Sequence, residues 1–83
     1  MDKRTQYERI LGLLEAGEII TSLDAARQPR PIMELPKRVS EIRRDGYKVD
    51  RVKRGRATGY YMPDKVDNKD LAAWVAKPMY KAV

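Results

Sequence analysis

Between Pro36 and Arg56 the chain carries nine cationic side chains: Lys37, Arg38, Arg43, Arg44, Lys48, Arg51, Lys53, Arg54 and Arg56. The same segment holds three acids, Glu41, Asp45 and Asp50, and so a net of six positive charges. The rest of the 83 residues has nine basic and nine acidic side chains and is neutral. Charge gathered into one quarter of a chain suits the neutralisation of a polyanion, most often nucleic acid. The plainer alternative is a basic face kept for solubility.

Other chemistries are closed. The chain has no His and no Cys. That excludes imidazole and thiolate metal sites, disulfides, and catalysis by either group. The acids are scattered, and KRGRATG (53–59) lacks the spacing of a phosphate-binding Walker loop. Neither an enzyme nor a cofactor or metal is expected. The longest apolar runs are a few residues, far short of a bilayer span. The opening MDKRTQYERI lacks the apolar core of a signal peptide. A cytoplasmic protein with no membrane association is expected.

The elements that position the cations follow from periodicity. Residues 3–16 read as a helix, with Tyr7, Ile10, Leu11 and Leu14 at helical spacing, Leu13 widening the stripe, and Thr5 with Glu8 in a capping-box pattern. Gly17 is its stop, and a close packing contact would explain Gly12 in its middle. Ile19 and Ile20 suit a brief strand that pairs with a later hairpin. A short second helix follows, capped by Thr21 or Ser22, with Asp24 in its first turn and Leu23 and Ala26 pointing inward. Pro29 and Pro31 then force a turn. The third helix starts no earlier than about Glu34 because of Pro36, buries Leu35, Val39 and Ile42, and ends at Asp45–Gly46. Residues 47–53 and 57–62 have strand character, and Gly55 supplies a tight turn between them. Asp67 or Asn68 caps a last short helix with Leu71, Trp74 and Val75 on one side. Pro78 is its stop, and the final five residues are expected to be loose.

Helix, short helix, turn, helix and hairpin is the order of an α+β winged helix-turn-helix domain, here followed by a short C-terminal helix. ERILGLLEAGEIITSLDAA, RVSEIRRDGYKV and RGRATGYYM resemble a small winged helix-turn-helix family of phage and prophage genes. The matching blocks are residues 20–25, 38–46 and 56–62, and the resemblance covers residues 5–62. Pro36 stands where that family usually has an alanine-like residue, which bears on where the third helix starts. The resemblance implies DNA binding in a mobile-element setting. The expected organisation is a winged helix-turn-helix DNA-binding domain over 1–63 and an extension over 64–83 with a short helix, a candidate dimerisation element.

The candidate contacts divide into three groups. On the third helix they are Lys37, Arg38, Ser40, Glu41 and Arg44. Glu41 could accept from cytosine N4 or pair along the helix with Lys37 or Arg44, and Arg38 could brace the helix against Asp24 or Asp45. In the wing they are Arg51, Lys53, Arg54, Gly55 and Arg56. At the start of the second helix they are Thr21 and Ser22, where free N–H groups favour phosphate and simple capping is the alternative. Leu71, Trp74 and Val75 are candidates for a dimer interface or for packing on the chain's own core. The leading reading is a phage or prophage transcription regulator that binds double-stranded DNA, with a homodimer as one form. The alternatives are an excisionase-like architectural factor, a phage inhibitor whose partner is a host protein, and, more remotely, an RNA binder.

Overall fold

The computed structural model of the chain describes residues 3–76. Seven elements follow one another: α1 (Lys3–Glu15), β1 (Ile20–Thr21), α2 (Ser22–Ala26), α3 (Leu35–Arg44), β2 (Asp50–Arg54), β3 (Ala57–Tyr61) and α4 (Asn68–Ala76).

α1 forms on the stripe read from the sequence. Ile10 and Leu14 are fully buried, and Tyr7, Leu11 and Leu13 pack partly buried against the core. The helix already begins at Lys3, so Thr5 lies inside its first turn and is not its cap. Gly17 ends it at φ 86°. The Gly17 N–H donates to the Leu14 carbonyl at 3.0 Å and the Glu18 N–H to that of Leu13 at 3.1 Å. These are the two bonds of a Schellman stop, whose left-handed position favours glycine. A Cβ on Gly17 would also lie 2.8 Å from the Lys65 carbonyl oxygen. Gly12 has no such excuse, because apart from its chain neighbours and the backbone of its own helix nothing lies within 4 Å of where its Cβ would be. The close contact expected there is absent, and Gly12→Ala should stabilise the protein by about 1 kcal/mol. Thermal unfolding checks this, and a rise of roughly 4–8 °C is the expected result for a domain of this size.

α2 takes the opposite phase from the one expected. Ala25 is its buried residue, while Leu23 is half exposed and Ala26 faces solvent. Ala25 also supplies its carbonyl to the Ile32 N–H at 2.9 Å, which closes the proline-rich turn. α3 starts at Leu35 with Pro36 in its first turn, where the missing N–H costs no helix bond. Leu35, Val39 and Ile42 are buried as the spacing requires.

β1, β3 and β2 form one antiparallel sheet in that order. Ile20 lies opposite Tyr60, and both are buried, so this face of the sheet closes the helical core. Tyr61 alternates to the other face and is half-buried. Arg54 pairs with Ala57, which leaves a two-residue turn of Gly55 and Arg56. Gly55 has φ 61°, the positive value that a tight hairpin turn demands at its first central position.

In α4 the expected apolar face is only partly realised, since Leu71 and Trp74 are half-buried and Val75 is exposed. The Pro78 stop and the last five residues lie outside the described residues. Among the described residues no helix is long and apolar enough to cross a membrane.

Candidate nucleic-acid interface

α3 presents its cations because its apolar stripe fixes its rotation. With Leu35, Val39 and Ile42 inward, Lys37, Ser40, Arg43 and Arg44 are exposed and Glu41 is partly so. Three contacts hold the helix and its flanks. The Tyr7 hydroxyl of α1 donates to an Asp45 carboxylate oxygen at the α3 C-cap. Arg43 Nε donates to the Val49 carbonyl at 2.9 Å and ties the helix to the approach of β2. Arg9 Nη1 donates to the Arg30 carbonyl at 2.7 Å and pins the preceding turn.

The Asp45 contact has a consequence for pH. The bond to Asp45, then partial desolvation and the negative charge of Asp45, push the Tyr7 phenol from 10.0 up to about 12. A raised folded value means that this contact contributes stability below pH 10 and loses it as pH rises toward 12. Spectrophotometric titration should show a late-ionising phenol that vanishes in Tyr7→Phe. Stability should fall more steeply over that window in the parent protein than in the variant.

Arg38 takes the bracing alternative, though with a different partner from those expected. It is 1% exposed and cannot reach a DNA groove from there. Its Nη2 lies 3.2 Å from Glu41 Oε2, so it braces against Glu41 and not against Asp24 or Asp45. Glu41 is thereby paired with Arg38 and not with Lys37 or Arg44. The pair is close but poorly directed, because Arg38 Nε and Nη2 are buried without a hydrogen-bond partner.

Thr21 is also withdrawn from the surface. It is buried, and its Oγ1 accepts from the Asp24 N–H at 3.1 Å while its own N–H donates to Asp24 Oδ2 at 3.1 Å. This is a closed capping box, the capping alternative for this residue. Ser22, one residue on, is exposed.

In the wing, Arg51, Lys53, Gly55 and Arg56 are exposed. Arg54 is not free. Its guanidinium sits 4.0 Å from the centre of the Trp74 ring, and its Nη1 donates to the Trp74 carbonyl at 3.0 Å. Of the nine cations between Pro36 and Arg56, Arg38, Arg43 and Arg54 therefore serve the fold. Lys37, Arg44, Lys48, Arg51, Lys53 and Arg56 are exposed, as is Arg43 although its Nε is held by the Val49 carbonyl.

A groove of about 390 Å³ runs between α2, the start of α3 and the hairpin. Ser22, Leu23, Arg27, Pro36, Arg56 and Thr58 are among the residues that line it. Leu23 and Arg27 were missing from the sequence-derived site. The signal for them is weak, because a five-residue helix is too short for its periodicity to show which side faces out.

A compact set of three helices, with a basic hairpin beside the third, is the architecture of the winged helix-turn-helix class, a DNA-binding fold. Residues 5–67 match the family model described as "Winged helix-turn-helix domain", and the chain belongs to that family. No curated protein and no solved structure matches it.

Proposed function

We propose that the protein is a transcription regulator of phage or prophage origin that binds double-stranded DNA in a bacterial cytoplasm. α3 enters the major groove with Lys37, Ser40 and Arg44 toward the base edges and phosphates. Arg51, Lys53 and Arg56 of the wing take the backbone or an adjacent minor groove. The observation that carries this reading is the groove between α2 and the hairpin. It brings Arg27 and Arg56, distant in sequence, to the walls of one channel that reaches Pro36 at the start of α3.

Selection from a random duplex library tests it. Enrichment of one motif is the expected result. Tight, salt-sensitive binding with no enriched motif would replace the regulator with an architectural factor, and gel shifts on circularly permuted fragments would then report the bend. The inhibitor reading draws on one feature, half-exposed Leu23 among the basic residues of the groove. An apolar side chain in that place suits a protein partner as well as a thymine methyl. Homodimerisation through α4 would use exposed Val75 and the parts of Leu71 and Trp74 that the chain's own packing leaves uncovered.

A further inference from the structure

α4 lies beyond the residues that match the family, yet it is fastened to the wing at three points. The Arg54 guanidinium stacks on the Trp74 ring at 4.0 Å, a cation–π contact. Arg54 Nη1 also donates to the Trp74 carbonyl at 3.0 Å. That carbonyl is one of the last four in α4, which have no partner inside the helix. The third point is Gly59, in the middle of β3. A Cβ there would stand 2.8 and 2.9 Å from two ring carbons of Trp74, and 2.7 Å from Ile19 Cγ2. Gly59 is buried at φ below zero, so the residue serves close approach of the indole and not a special backbone turn.

Arg54 is the last residue of β2, directly before the Gly55–Arg56 turn. A hairpin of two strands is marginal in water unless one face is packed. Here the core side closes through Tyr60, and the far side closes through Trp74. We propose that Trp74 is a positioning residue for nucleic-acid binding: α4 braces the outer face of the wing through Arg54 and Gly59 and sets the direction of its tip. This rests on the DNA-binding reading above. Arg54 also lines the groove beside Arg56, but its guanidinium is committed to Trp74; it is thereby a structural cation, and the charge that meets phosphate comes from Arg51, Lys53 and Arg56.

The test uses the full chain and random duplex DNA over a salt series, with Trp74→Ala, Trp74→Phe, Arg54→Met and the Trp74→Ala/Arg54→Met double variant. Trp74→Ala and Arg54→Met should each weaken binding by about three- to tenfold, as for loss of one partly buried cation–π contact. The double variant should be no weaker than the worse single one. The slope of log K against log salt should stay at the parent value, and Trp74→Phe should keep most of the affinity. Parental affinity in Trp74→Ala would overturn the proposal. So would a slope reduced by about one unit in Arg54→Met alone, because Arg54 would then be a phosphate contact.

Circular dichroism checks that each variant is folded. If Trp74→Ala is not, Arg54→Met and Trp74→Phe decide by the same criteria. The chain has one tryptophan, so its emission reports the brace without DNA. Arg54→Met and Gly59→Ala should shift that emission to the red. Should the parent fail to bind any duplex, the DNA reading falls by itself. An unchanged emission in both variants overturns the brace.

Discussion

Glu41→Ala should destabilise the protein by about 2–3 kcal/mol, while Arg38→Met should be neutral or stabilising. The asymmetry follows from who is buried. Arg38 is 1% exposed and Glu41 is 27% exposed. Removing the carboxylate leaves a guanidinium in the core without its counter-charge, which for a fully buried pair costs about 3–5 kcal/mol. Water can approach the Glu41 side, so the loss should fall below that range. Replacing the cation by Met removes the desolvated charge and the two polar atoms that lack hydrogen-bond partners, and keeps most of the packing volume. A domain of this class has about 5–15 kcal/mol in all, so the Glu41 loss is a large share. Urea unfolding of the two variants makes the comparison. Equal destabilisation of both would mean that Arg38 is held by more than Glu41.

The second large effect concerns DNA. Lys37→Ala or Arg44→Ala should each cost about 1–3 kcal/mol on a selected site and relax preference at one base position. Lys53→Ala with Arg56→Ala should weaken binding to all sequences alike and flatten the salt slope by about 0.9 for each lost phosphate contact. The reason is geometric. Lys37 and Arg44 project from the solvent face of a helix whose opposite face is fixed by Val39 and Ile42, while Lys53 and Arg56 sit at the end of a hairpin. Competition binding on matched and scrambled duplexes separates the two. Uniform loss from both pairs would abolish the division between reading helix and wing.

Much of this was legible in the chain. The stripe Leu35, Val39 and Ile42 fixed which side of α3 could be charged, since each buried apolar position excludes an alternative rotation. Gly17 and Asp45–Gly46 marked helix ends, and Gly55 marked the turn, because positive φ is a local demand that glycine meets at the least steric cost. What could not be read depends on contacts distant in sequence. Arg38 looks like any exposed cation until its place beside the α3 stripe puts it against the core. Arg54 looks like a wing contact, and only the return of α4, twenty residues later, shows that Trp74 claims it. Leu23 misled because apolarity stood in for direction in a helix of one and a half turns. Gly12 suggested a tight contact where there is open space.

If the exposed cations of α3 and the wing meet a phosphate backbone, duplex DNA of any sequence should bind in a salt-dependent way. Fluorescence anisotropy with random duplex DNA over a salt series tests it most directly. Affinity in the range of about 10⁻⁴–10⁻⁶ M near physiological salt, falling linearly in log K against log salt, is the predicted result. No binding even at low salt would contradict the claim and leave the basic groove to a protein partner.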